Sequence, residues 1–244
     1  MTERAISMLI HGPAGGGKTT VGVSGPIPRL MIDVENASRF VYQRKVFWKP
    51  MEGPPPVWDG TWDLCVVKAK DWPTVKKTYE YLKSGQHPFR SLSIDSITET
   101  QVKASEDING RNQFQTHHWG QLLANMGGLL RDLRDLCGDE DSTIETMVMI
   151  CTSIEKNGRW KPYLQGSISA VVPYVFDITG YQYVDQEIDQ ATGQPVEVRK
   201  MFVGSHPLYE AKNRVPNLPN TLVEVNMEKL LDQVFGPLPE IQNS

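Results

Sequence analysis

Cysteine is scarce in this chain. Its 244 residues hold three, Cys65, Cys137 and Cys151. They are odd in number and scattered without metal-ligand spacing, which argues against a disulfide framework and points to a reducing compartment. Long hydrophobic runs are missing too. No stretch reaches the length needed to span a bilayer, and the opening MTERAISMLI has too few apolar residues for a secretory leader. The expectation is a soluble, cytoplasmic protein without membrane contact. Charge of one sign does not dominate either. A formal net charge of −4 gives no general attraction to nucleic acid, so any such binding must come from a local basic patch. Internal repeats and low-complexity tracts are absent, and the length suits one α/β unit, residues 1–244 as a single domain.

Against that plain background stands HGPAGGGKTT, His11 to Thr20. Gly12, Gly17, Lys18 and Thr19 fit G-x-x-x-x-G-K-[ST], the phosphate-binding loop that joins a strand to a helix. The preceding AISMLI reads as a buried strand, and a helix is expected after Thr19. Gly12, Pro13, Ala14, Gly15, Gly16, Gly17, Lys18, Thr19 and Thr20 then form a cradle whose N–H groups and helix dipole converge on an anion. ATP with Mg²⁺ is the ligand this pattern implies. Lys18 reaches the terminal phosphates and the Thr19 hydroxyl binds the metal.

Further along, RLMIDVEN reads as a second buried strand ending in acidic residues, and LCVVKA as a third. The intervening VFWKPMEGPPPVWDGTWD reads as a proline-rich loop. Its Trp48, Trp58 and Trp62 suit stacking on a base or a partner, but the commoner arrangement is that such rings anchor a long loop on its own domain, and no function is assigned to it. DWPTVKKTYEYLKSG carries a helix capped by Asp71 and closed by Gly85. FRSLSIDSITET supplies a strand that puts Asp95 at the carboxyl edge of a parallel sheet, the Walker B position, where a carboxylate serves Mg²⁺. Capping of the next helix is the alternative role for Asp95. In GQLLANMGGLLRDLRDLC, Leu122, Met126, Leu129, Leu133 and Leu136 form a helical core stripe. TMVMICTS gives another strand, with Thr152 and Ser153 placed to sense a γ-phosphate. VFDITGYQYVDQEID and PVEVRKMFVG flank QATG as a C-terminal antiparallel hairpin, and VNMEKLLDQVFG closes the chain as a helix. The alternation predicts an α/β fold, a mainly parallel sheet flanked by helices.

Hydrolysis needs a carboxylate to orient water against the γ-phosphate. In AAA+ motors a glutamate directly follows the Walker B aspartate, and here Ser96 stands there instead. Glu35 in IDVENA is the candidate base, with Glu99 next. This placement resembles the RecA family, whose catalytic glutamate ends the same strand, and IDSIT resembles the RecA-type Walker B segment. Lys212 and Arg214 in YEAKNRV resemble the basic pair that reaches across RecA subunits to a neighbour's ATP.

Taken together, the chain looks most like the compact RecA-core ATPases of bacteriophages. That resemblance implies a RecA-like ATPase acting on single-stranded DNA in recombination, annealing, repair or replication, in host cytoplasm. It implies further copies of the chain in a ring or filament and a single-strand-binding protein as partners. It also implies two DNA-binding loops, here SEDINGRNQFQTHHWG and EKNGRWKPYLQGS. The second offers Lys156, Arg159, Trp160 and Lys161, cations for phosphates and an aromatic ring for stacking. An ordinary basic hairpin loop reads equally well, and His117 and His118 read as surface residues. A small-molecule phosphotransferase and a nucleotide-gated assembly factor without DNA stay open, although the arginine-rich lid of the former is not visible.

Overall fold

The computed structural model describes residues 4–237. Its first strand, β1 (Ile6–Gly12), is buried along its whole length, because Met8 and Ile10 pack on one face of the sheet and Leu9 on the other. That two-sided burial is why the run is continuously apolar rather than alternating. The helix that follows, α1 (Lys18–Gly22), is a single short turn. It stops early because Gly25 packs against Ser91 and Thr146, and Pro26 and Pro28 cannot continue a helix.

β2 (Arg29–Asp33) ends two residues before Glu35, so Glu35 lies in the bend after the strand rather than at its end. The segment expected to be all loop contains β3 (Lys45–Trp48), which pairs parallel with β4 (Leu64–Lys68) at the sheet edge. Trp48 and Trp62 bury their rings in the core, and Trp58 is partly exposed. Asp71 caps α2 (Trp72–Lys83) by accepting from the Thr74 N–H at 2.9 Å.

After β5 (Ser91–Asp95) come α3 (Ile97–Asn109) and α4 (Thr116–Asp135). The first of the two expected DNA loops is therefore mostly helix, with only residues 110–115 between the two helices. β6 (Thr146–Lys156) turns at Asn157 and Gly158 into β7 (Arg159–Pro162), an antiparallel hairpin where a loop was expected. Then follow α5 (Ile168–Val175), β8 (Ile178–Ile188), β9 (Pro195–Phe202), β10 (Lys212–Asn213), β11 (Thr221–Val223) and α6 (Met227–Phe235).

The eleven strands form one sheet in the order β11-β9-β8-β1-β6-β5-β2-β4-β3, with β10 on β8 and β7 on β6. From β8 to β3 every pairing is parallel, and β8 with β9 makes the expected antiparallel hairpin. Register aligns Gly12 with Thr152 and Asp33 with Asp95, while Asp95 meets Ile150. The carboxyl ends of β1, β2 and β5 thus share one edge with Thr152 of β6, where ligands of open α/β sheets collect. Helices α2 to α5 cover one face, and α1 with α6 the other.

Candidate functional site

A cavity of about 500 Å³ opens at that edge, walled by the loop from Gly12 to Thr20 and by Glu35, Asp95, Ser96, Thr152 and Arg199. Gly12 must be glycine because a Cβ there would overlap the backbone of Gln182 on β8. The buried Gln182 amide also donates to the Gly16 carbonyl at 2.7 Å, pinning the loop from below. Lys18 Nζ donates to the carbonyls of Pro13 at 2.7 Å and Gly12 at 3.1 Å, so its ammonium lies at the mouth of the cradle. Burial lowers its pKa, against the opposing pull of Asp95 and Glu35. Ala14 and Thr20 line the wall, and Pro13 contributes its carbonyl alone.

On the acidic side, Thr19 Oγ1 donates to Asp95 Oδ2 at 2.6 Å. Ser96, not Asp95, caps α3 by accepting from the Glu99 N–H at 3.2 Å. That leaves the Asp95 carboxylate facing the loop. Ser96 Oγ also donates to Glu35 Oε1, and the Glu35 and Val34 N–H groups donate to the Asp95 carbonyl. Asp33 builds the bend that carries Glu35: it accepts from the N–H of Ala37 at 2.9 Å and of Ser38 at 3.2 Å, with Lys68 at 3.4 Å. Burial, then Glu35 and Asp33, raise the Asp95 pKa to about 6, opposed by the Thr19 hydrogen bond and Lys18. Glu99 faces Lys103 at 3.5 Å and is not on the cavity wall.

Thr152 and Ser153 do not end their strand, because β6 runs on to Lys156 in the hairpin with β7; Thr152 lines the cavity and Ser153 does not. Successive side chains of a strand point to opposite faces, and Ser153 Oγ meets His11 Nδ1 at 2.7 Å instead. The other His11 ring nitrogen, Nε2, bonds the Glu210 carbonyl at 2.6 Å.

Lys156 and Arg159 face each other across the β6–β7 hairpin, as do Ile154 and Lys161. Arg159 is engaged by Glu210 at 3.5 Å and the Tyr209 carbonyl at 3.4 Å. The Trp160 ring is half-buried near Tyr181 at 6.4 Å. Lys212 and Arg214 are off the cavity wall. Lys212 Nζ donates to the Phe176 carbonyl at 2.6 Å, and Arg214 Nη2 to the Tyr174 carbonyl at 2.8 Å, so within the chain both serve the C-terminal end of α5. Burial, then Arg214, lowers the Lys212 pKa to about 8, opposed by Asp177.

Residues 4–215 match the AAA domain family. The chain belongs to that family. The match spans every parallel strand and the whole cavity edge, and makes this a P-loop ATPase domain of the AAA type, with Ser96 standing where a glutamate follows the aspartate in AAA+ motors. No curated protein matches the chain. Among the described residues, no helix is long and apolar enough to cross a membrane.

The cradle suits a nucleotide polyphosphate with Mg²⁺. Gly15 and Gly17 have φ of 77° and 83°, which turn successive N–H groups toward one point. Among the described residues no group of three or more His, Cys, Asp or Glu could hold a metal alone. Mg²⁺ takes one or two protein oxygens and completes its shell with phosphate and water. Thr19 and Asp95, joined by their hydrogen bond on the cavity wall, are the side chains that could supply such oxygens. Sequence reasoning missed Gln182 and Arg199, which come from a hairpin far along the chain and carry no local motif.

Proposed function

We propose that this chain is an ATP-dependent, self-assembling protein of the compact RecA-core type that acts on single-stranded DNA in recombination, annealing, repair or replication. One observation carries the reading: the acid beside Asp95 is Glu35, brought from the bend after β2 and held by Ser96, which resembles the RecA-type arrangement rather than a glutamate following the aspartate. In this reading Lys18 and the loop N–H groups bind the phosphates, and Thr19 and Asp95 hold Mg²⁺. The metal neutralises charge that builds on the transferring phosphoryl group. Glu35 orients a water and takes its proton, and Ser96 fixes the direction of that carboxylate. The exposed Lys156 and the neighbouring Lys161 give the β6–β7 hairpin its cations for DNA phosphates.

The test is ATP turnover with and without single-stranded DNA. Stimulation by DNA supports the whole reading. Turnover unaffected by DNA at any length or salt removes the DNA role and leaves an ATPase that gates assembly. Absence of turnover with a phosphorylated small acceptor as product would identify a phosphotransferase instead.

A further inference from the structure

Among the described residues on the cavity wall, two are cations, Lys18 and Arg199. Nothing in the loop motif calls for the second. It comes from β9, across the hairpin from Val184 of β8. The sheet order sets β9 two strands from β1 on one side, and β5 with Asp95 two strands away on the other. Arg199 therefore enters from the flank opposite the carboxylates. Its side chain lies directly on the loop: a Cβ on Gly17 would come within 2.6 Å of Arg199 Cδ and 2.7 Å of Nε. A side chain at Gly17 would have to displace the arginine stem, so the guanidinium lies against the cradle itself.

The counter-ion of this arginine is weakly bound. Glu224 Oε2 lies 3.8 Å from Arg199 Nη1, beyond hydrogen-bond distance, and both side chains are about half exposed, 49% and 52%. Such pairs contribute little. The other Glu224 oxygen is taken by the Arg199 backbone N–H at 2.9 Å, which keeps the carboxylate at hand whether or not it holds the guanidinium. Below the loop, Gln182 Oε1 is buried without a partner among the described residues, and its amide lies 3.4 Å from the same point on Gly17 that Arg199 crowds. The Gln182 amide nitrogen and a loosely held guanidinium thus both lie against one glycine of the cradle.

We propose that Arg199 is a second phosphate-binding cation of the nucleotide site, delivered by the β8–β9 hairpin, and that Glu224 is its exchangeable counter-ion, displaced when a nucleotide polyphosphate occupies the loop. The proposal rests on the phosphate-loop reading of the site. A polyphosphate cradled by the N–H groups around Gly17 lies beside the guanidinium and offers it paired oxygens, a stronger partner than a half-exposed carboxylate at 3.8 Å. Because Glu224 follows β11 and precedes α6, releasing it links nucleotide occupancy to the far edge of the sheet.

The experiment is equilibrium binding of a fluorescent ATP analogue with Mg²⁺ to the full chain, for wild type, Arg199→Ala, Arg199→Lys, Glu224→Gln and the Arg199→Ala/Glu224→Gln pair. Removal of a charged hydrogen-bond donor should raise Kd about tenfold, with Arg199→Lys between wild type and alanine. Glu224→Gln keeps the shape and the acceptor for the Arg199 N–H but removes the competing charge, so it should bind more tightly than wild type. In the Arg199→Ala background the same change should do nothing. A Kd for Arg199→Ala equal to wild type overturns the proposal. So does a Glu224→Gln variant that binds as poorly as Arg199→Ala, since the pair would then be a strut of the hairpin. Unchanged far-UV circular dichroism checks that the variants fold. Lys18→Ala is the reference: if wild type binds no better than that variant, the phosphate-loop reading falls, and the Arg199 proposal with it.

Discussion

Ser96 donates a hydrogen bond from its hydroxyl to the carboxylate of Glu35, across a sequence separation of 61 residues. The same hydroxyl accepts from the Glu99 N–H at 3.2 Å and caps α3. One side chain therefore starts a helix and aims an acid into the cavity.

Ser96→Ala should lower kcat about tenfold while leaving nucleotide affinity close to wild type, because Glu35 loses its orientation and not its charge. Glu35→Gln removes the charge itself and should cost about 100-fold or more in kcat. Steady-state kinetics with the analogue Kd separate the two. The cap lost in Ser96→Ala should also cost about 1 kcal/mol in denaturant unfolding, a loss that Glu35→Gln should not share. Equal kcat in Glu35→Gln and wild type would move the base elsewhere, with Glu99 the next residue to examine.

Lys18→Ala should abolish tight ATP binding and leave the fold intact. The Lys18 ammonium touches only the carbonyls of Gly12 and Pro13, so no core contact depends on it. Analogue binding paired with thermal unfolding checks both halves, and wild-type affinity in this variant would sink the phosphate-loop assignment.

The loop, the apolar strands and the hairpin at QATG were legible because each rests on local chemistry: glycine spacing, continuous burial, turn residues. Asp95 was ambiguous in the sequence, since Asp and Ser both cap helices, and only the fold assigns the cap to Ser96. β3 hid inside a proline- and tryptophan-rich stretch because four residues at a sheet edge make no periodic signal, and the core role of Trp48 depends on distant partners such as Phe89. Gln182 and Arg199 were invisible for a related reason. Their place beneath and beside the loop follows from β8 pairing with β1, a contact between opposite ends of the chain that no window of sequence contains. SEDINGRNQFQTHHWG is loop only in its middle, because α3 continues to Asn109 and α4 starts at Thr116, and its mostly polar residues carry no apolar period that would mark either helix.

Two buried groups give the metal-free protein opposing pH dependences. Burial, helped by Lys18 and opposed by the Glu210 carbonyl, lowers the His11 pKa from 6.5 to about 4; its ring also faces Ser153 and Tyr181. Between those values the unfolded chain takes up a proton that the native state refuses, so stability falls as pH drops from 6.5 to 4. Asp95 works the other way. Its pKa is raised from 3.8 to about 6, so the native state binds the extra proton and stability is lost as pH rises through that window. Asp95→Asn keeps an acceptor for Thr19 and removes the buried charge. In chelator at pH 7 it should be more stable than wild type by about 2–3 kcal/mol. That advantage should shrink below pH 6 and vanish near 4, while the His11 slope stands unmasked in the variant. Denaturant unfolding from pH 4 to 8 measures it. A variant less stable than wild type at pH 7 would contradict the reading.

Replacing Lys156, Arg159 and Lys161 together should weaken single-stranded DNA binding and flatten its salt dependence. Each phosphate contact on a single strand contributes about 0.7 to the slope of log K against log salt. Since Glu210 already engages Arg159, the expected change is about 1.4, nearer two contacts than three. Trp160→Ala should separately cost about 1–3 kcal/mol of binding if a base stacks on the ring. A salt slope equal to wild type would remove the hairpin from the DNA surface.

Lys212 and Arg214 allow a test between two roles. Within the chain they satisfy the carbonyls of Phe176 and Tyr174 at the end of α5, and helix ends leave carbonyls that need such donors. Double replacement by alanine should therefore lower stability by about 1–3 kcal/mol whatever else the pair does. Loss of activity alone cannot then show that the pair completes a neighbour's site. Mixing can. A Lys18→Ala subunit has no working loop but keeps its basic pair, and the double variant has the reverse. If the pair acts across an interface on the transferring phosphoryl group, mixed assemblies should regain turnover that neither variant has alone, with a maximum near equal amounts. Rescue cannot arise from the cap on α5, because that cap is missing in every subunit whose loop works. If mixtures co-assemble, by light scattering or cross-linking, yet stay as inactive as their components, the pair is a helix cap and nothing more, and the RecA-type interface has to be given up.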